Sequence, residues 1–369
     1  MFLFERLVGV GTYSAILVLV CYFISYFKSN KALKIILFIY TIALAIMGFF
    51  FVPNSGADLY RIYGFLDSFK AYEFRAFLER YQDVNAPVSY IYFWLISKTG
   101  EYRLLPAVNT LICYSCIFYI FRKTAEKYNI SNQNVAIALF FYMSIGSYIY
   151  VISGIRTMLA ISLVAFCFFR ETVEKKFRIY HIILYILAAY IHNLAVVVIL
   201  IRLIIPLFGK SISGIKRIAY MIFFAAISVF AALNMRELLD AVIAKAESYI
   251  YGNKYSYFWD YLIGAIVVVV SLIVLVKVIS KQYGDKGLSQ IKLFSTVCVV
   301  LSLIFFFEFS TFHRLATYVN AITLTPLVMI YLEKKENKNA QQLIMFASIV
   351  LLFISCSRGS LCSLKFFVW

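Results

Sequence analysis

The sequence predicts an all-α, polytopic membrane protein, a single integral membrane domain over residues 1–369. Three observations predict it. Hydrophobic residues make up 63% of the chain and charged ones only 14%, more apolar surface than a soluble domain of this size can hide. Apolar runs of about 20 residues, enough to cross a ~30 Å hydrocarbon core, recur from end to end. Lysine and arginine collect in alternate loops, as the positive-inside rule requires. That rule also accounts for the net charge of +17, so no nucleic-acid partner is expected.

About ten spanning helices are expected, at 8–27, 32–52, 103–121, 134–150, 154–170, 215–233, 260–279, 290–309, 312–332 and 340–356. The first run is expected to be a retained helix, because no small-residue cleavage site follows it. After the second run, Pro53-Asn54-Ser55-Gly56 breaks the chain. Residues 53–102 then mix charges with Tyr60, Tyr63, Phe65, Phe69, Tyr72 and Phe74. Those spacings suit interfacial amphipathic helices in an external loop. Residues 87–98 are apolar but too short to span. Residues 178–207 would form one helix of about 45 Å, too long for the core, yet two full spans need ~40 residues. A re-entrant or short-helix pair turning near His192-Asn193 is therefore expected. Broken backbone at membrane depth is tolerated only inside protein or along a wet cavity.

Orientation follows from charge. The segments 28–34, 122–127, 170–178, 202–217, 277–292 and 333–338 hold 21 of the 35 Lys and Arg but 6 of the 18 acidic residues. They are placed in the cytoplasm, which puts both termini outside. A single crossing by 178–207 would invert every later basic loop. The expected pair keeps them on one side.

The seven cysteines lie mostly in apolar runs. Cys113 and Cys116 form a CxxC with no second pair and no nearby His, so they read as small packing residues. No metal-ligand spacing, Walker motif or serine elbow is present, and no metal or cofactor is expected.

Charge in hydrocarbon is expensive, so ionisable residues at membrane depth mark function. Asp58, Arg61, Arg156, His192, His313 and Arg314 all fall opposite the basic loops, which predicts one polar cavity open to the outside. Asp58 and Arg61, at i and i+3, can pair. A solvated ion pair and a catalytic carboxylate in a semi-dry cleft are both open there. Arg156, in Ser153-Gly154-Ile155-Arg156, offers a planar fork to a diphosphate, or snorkels to headgroups. His192 and Asn193 interrupt an apolar run; the histidine can serve as acid, base or phosphate donor, or be a satisfied core residue. Arg314 and Tyr318 share a helical face at i, i+4. Arg314 suits a second diphosphate contact, or pairs with Glu308. Glu308, Asp260 and Arg236 are weaker candidates, each an interfacial charge. Some of the aromatic residues, 18% of the chain, could line a sugar-binding cavity.

Four segments carry a resemblance to a known family. They are Ser153-Gly154-Ile155-Arg156-Thr157-Met158-Leu159-Ala160, Ala188-Ala189-Tyr190-Ile191-His192-Asn193, Asp58-Leu59-Tyr60-Arg61-Ile62-Tyr63 and Arg314-Leu315-Ala316-Thr317-Tyr318. Their order and spacing resemble the EpsG-type family of Wzy-like polymerases, which make bacterial exopolysaccharide, capsule or O-antigen. The family often has Gln where this chain has Thr157, and a small or hydroxyl residue where it has Asn193. The resemblance implies a membrane glycosyltransferase that joins undecaprenyl-diphosphate-linked oligosaccharide repeat units at the outer face of the cytoplasmic membrane. A flippase and a chain-length co-polymerase are its implied partners. In that reading Arg156 and Arg314 bind the diphosphate. His192 is an acid, base or phosphate contact, and Asp58 a base or acceptor-orienting group. Arg61, Asn193, His313 and Tyr318 are supporting contacts.

Two rivals stand beside it. A GT-C-type glycosyltransferase would add single sugars from a polyprenyl-phosphate donor, often with a divalent metal, which a lone Asp58 suits poorly. A flippase or transporter of lipid-linked sugars would explain broken helices, but its charges should lie at the midplane and its spans should repeat.

Overall fold

The computed structural model describes residues 2–55, 57–81, 84, 86–205, 258–278, 284–333, 338–357 and 364–365. Among these the regular structure is helical, with no strand. In chain order the helices are α1 (Phe2–Tyr26), α2 (Asn30–Phe49), α3 (Asp58–Lys70), α4 (Phe74–Tyr81), α5 (Pro87–Thr99), α6 (Leu104–Tyr128), α7 (Asn132–Ser144), α8 (Ser147–Ser153), α9 (Ile155–Thr172), α10 (Ile179–Ile191) and α11 (Asn193–Ile204). After the undescribed stretch come α12 (Phe258–Lys277), α13 (Lys286–Ile304), α14 (Phe309–Glu333) and α15 (Lys338–Ser357).

Seven of the described helices are long and apolar enough to cross a membrane: α1, α2, α6, α12, α13, α14 and α15. The bent pair α7–α8 makes an eighth. The chain is a multi-pass membrane protein. Helix α9 lies where a span is expected, although Arg156, Arg170 and Glu171 dilute its apolar run. The span expected at 215–233 and the candidate Arg236 lie outside the described residues.

The centre of the bundle is α7 and α14. Every residue from 134 to 144 and from 315 to 332 is buried. Helices α1 and α15 pack on α7, α2 on α6, and α12 and α13 on α14. A helix apolar all round belongs in such a position.

The span expected at 134–150 is not one helix. The chain bends by 54° between α7 and α8, where Gly146 adopts φ 86°, a left-handed conformation that glycine adopts at no steric cost. It breaks again at Gly154. The carbonyls near the breaks find side-chain donors. Tyr13 donates its hydroxyl to the Met143 carbonyl (2.8 Å), Ser355 to that of Ser144 (3.0 Å), and the Asn109 amide to that of Val151 (2.6 Å).

The short-helix pair is present. Helices α10 and α11 are separated by one extended residue, His192 (φ −158°, ψ 131°). Their far ends return to the same carboxylate on α9. Arg202 near the end of α11 donates Nε to Glu171 (2.9 Å), and His181 near the start of α10 lies 3.4 Å from it. The pair is therefore a hairpin. Each arm, at about 1.5 Å per residue, rises about 20 Å from its base.

Residues 58–99 form a cap of three short helices. Leu59, Ile62, Leu66 and Phe69 form the buried face of α3, which packs on α5. That is the amphipathic spacing read from the sequence. Helix α5, about 20 Å long, is too short to span, and it also touches α10.

Candidate active site

One cavity of about 180 Å³ gathers the charged residues. Asp58, Arg61, Ile62 and Phe65 line it from α3, Tyr90 from α5, and residues 153–157 from the α8–α9 break. His192 at the hairpin tip and Arg314 on α14 complete the wall. It lies at the end of the bundle opposite the basic loops. Helix α9 runs from Arg156 at the cavity to Thr172 at a basic segment, and α14 from Arg314 to Glu333 at another.

Each side chain owes its position to a local break. Asp58 opens α3, where a carboxylate in the first turn suits the helix dipole. It pairs with Arg61 one turn later, and both are exposed. Arg156 follows Gly154, which ends α8 and starts α9. A Cβ on Gly154 would lie 2.9 Å from the Tyr150 carbonyl oxygen and 3.5 Å from the Tyr318 hydroxyl, so the close approach here is to the chain's own backbone and Tyr318. No side chain caps α9. Residues 155–157 of its first turn line the same cavity, and an uncapped helix start favours an anion.

Arg314 opens a π-helical turn, residues 314–320, within α14; such turns are rare and gather at functional sites. Glu308 does not pair with it. The Glu308 carboxylate caps α14 instead, accepting from the Ser310 and Thr311 amides (3.1 and 2.7 Å). Among the described residues, neither Arg156 nor Arg314 has a carboxylate within 4 Å. Both are half-buried. Three arginines against one carboxylate leave the cavity wall positive, and the one carboxylate is already paired with Arg61.

His192 Nδ1 accepts the Leu194 amide hydrogen (3.1 Å). In the neutral ring the proton then sits on Nε2, which makes that nitrogen a donor.

A profile of the EpsG family matches residues 54–360. The chain belongs to the EpsG family. Membership supports polysaccharide polymerisation in general. No match was found among curated proteins or among solved structures.

In this EpsG-family chain, five of the residues singled out from the sequence share the cavity: Asp58, Arg61, Arg156, His192 and Arg314. Three do not line it. His313 is buried, stacked on Phe309 (5.2 Å between ring centroids) and edge-on to Tyr150 (5.0 Å). Neighbouring residues on a helix point about 100° apart, so His313 and Arg314 cannot both face one opening. Tyr318 is buried against Tyr150 (4.7 Å), behind Gly154 rather than in the wall. Asn193 starts α11 and is exposed. Asp58 does not sit in a semi-dry cleft; its side chain is 53% exposed. Of the weaker candidates, Asp260 lies in the first turn of α12 with Oδ1 buried and, among the described residues, without a hydrogen-bond partner.

The cavity also contains residues that carried no site signal in the sequence. Tyr90 lies in the short apolar stretch 87–98, and Phe65 reads there only as one of several amphipathic-helix aromatics. The i, i+3, i+4, i+7 spacing of Asp58, Arg61, Ile62 and Phe65 was the available clue, since it puts all four on one helical face.

Proposed function

We propose that the protein joins undecaprenyl-diphosphate-linked oligosaccharide repeat units at the outer face of the bacterial cytoplasmic membrane. The observation that carries this is the convergence of Arg156 and Arg314 on one cavity, neither with a carboxylate partner among the described residues. A half-buried guanidinium without a counter-charge calls for an anion from elsewhere. The positive-inside bias supports an outside position for the cavity end of α9 and α14.

The chemistry follows from the wall. A hydroxyl at the non-reducing end of one unit attacks the anomeric carbon of the lipid-linked chain. The new carbon–oxygen bond forms as the bond from that carbon to the diphosphate oxygen breaks. The electron pair leaves on undecaprenyl diphosphate. Arg156, Arg314 and the first amides of α9 meet the charge that develops there, and His192 Nε2–H donates to a phosphate oxygen. Asp58 accepts the attacking hydroxyl's hydrogen bond, orients it, and takes its proton as the new bond forms.

Arg156→Ala and Arg314→Ala test this. Each should lower polymer synthesis by about 10²–10³, the usual cost of one transition-state donor, with the protein still inserted in the membrane. Polymer of normal length and amount from either variant would remove the diphosphate clamp. Purified wild-type protein should give a ladder of repeats; a single-sugar product would point to the GT-C reading instead.

A further inference from the structure

The cavity has two kinds of wall. Arg156 from α9, Arg314 from α14 and Arg61 from α3 make it cationic, and Phe65 from α3 and Tyr90 from α5 make it aromatic. We propose that these two rings are a stacking subsite for a pyranose ring of the acceptor oligosaccharide. The inference rests on the polymerase reading above and adds where the sugar lies.

Phe65 is 45% exposed, while its neighbours Leu66 and Phe69 on the same helix are fully buried. It is therefore not a core residue of the cap. Its ring lies 6.4 Å from that of Tyr90, tilted by 30°, so the two present adjoining surfaces. Packing behind them fixes their positions. Phe69 stacks on Phe65 (6.2 Å) and touches Tyr90 (5.7 Å), and Tyr81 braces Tyr90 (5.6 Å). A rigid aromatic surface loses little entropy when a ligand lands on it.

A pyranose has a face of C–H bonds and a rim of hydroxyls. The negative face of an aromatic ring attracts the C–H hydrogens, and a charged neighbour can bind the hydroxyls. Helix α3 supplies both, with Phe65 two turns from Asp58, about 10 Å along the axis. Asp58 is the group that orients the attacking hydroxyl. A sugar held on Phe65 is thus held on the helix that carries Asp58 and Arg61, whereas Arg156 and Arg314 come from α9 and α14. That placement assigns the rings to the acceptor and not to the diphosphate donor.

The test uses oligosaccharide released by mild acid from the host's own lipid-linked pool, which carries neither lipid nor diphosphate. With full-length protein in detergent, saturation-transfer NMR should show transfer to sugar C–H protons in wild type. Phe65→Trp should keep it. Phe65→Leu, which keeps bulk but has no π face, should lose it. In coupling assays with this soluble acceptor, Phe65→Leu should raise the acceptor KM roughly three- to tenfold, the scale of one aromatic contact, and leave the donor KM unchanged. Equal binding by wild type and Phe65→Leu overturns the subsite. A shift in the donor KM alone overturns its assignment to the acceptor. Uptake of detergent or lipid with no sugar signal in wild type makes the rings a lipid contact and also overturns it. If wild type binds the sugar but Arg156→Ala polymerises normally, the clamp has failed and the subsite stands.

Discussion

Arg156 is placed by the glycine before it. Any side chain at 154 collides with the Tyr150 carbonyl, an atom of fixed backbone. Gly154→Ala should therefore push α9 off α8 at a cost of about 1–3 kcal/mol. Most of the effect should fall on function, because the displaced segment carries the arginine. The expected outcome is a well-expressed protein with sharply reduced polymer; unchanged polymer would mean that the α8–α9 break tolerates the shift. Arg156→Lys keeps the charge but loses the planar fork, so it should retain part of the activity that Arg156→Ala loses. The sequence shows which residue types are out of place in apolar runs, and hence Arg156, His192 and Arg314. It cannot show which of two adjacent residues faces a cavity. His313 and Arg314 look alike as text, and only the rotation of α14 separates the buried ring from the half-buried guanidinium.

The hairpin α10–α11 shows the same division at the level of the element. Its existence is legible from length alone, since residues 178–207 are too many for one span and too few for two. Its anchor is not legible, because Glu171 and His181 lie 31 and 21 residues before Arg202 and nothing in the sequence says that they meet. The Glu171 side chain is 6% exposed and that of Arg202 20%, so removing one partner leaves a nearly buried charge. Arg202→Ala should cost about 3–5 kcal/mol and lower the unfolding temperature in detergent. Glu171→Leu combined with Arg202→Met should recover much of that loss, because an apolar pair leaves no stranded charge. A double variant as unstable as Arg202→Ala would show that the ion pair is not what holds the hairpin base. The bend at Gly146 was hidden for a different reason. The run 134–150 carries no charge, and a single glycine in such a run is ordinarily tolerated within a helix.

Across the whole molecule, sorting loops by charge predicts that the site residues share one end of the bundle. The cavity and the hairpin base stand at opposite ends of α9, as that sorting requires. In a cysteine-free background, His192→Cys should react with a membrane-impermeant thiol reagent added outside intact cells, and diphosphate added with it should slow the labelling. Labelling only from the cytoplasmic side would reverse the orientation. Of the aromatic wall, the sequence offered only the spacing of Phe65 from Asp58, and nothing in it pointed to Tyr90. Phe65 and Tyr90 come from separate helices of the cap and meet only after α3 folds onto α5.

The single residue that turns the hairpin has one more implication. Where α10 hands over to α11 a single residue joins the two helices, so the hairpin tip itself adds no loop to the mouth of the chamber. A polymer many times longer than its maker needs somewhere to go after each addition. For the polymerase proposed above, a tip this short means that the lengthening strand need not thread beneath a strap built by these two helices.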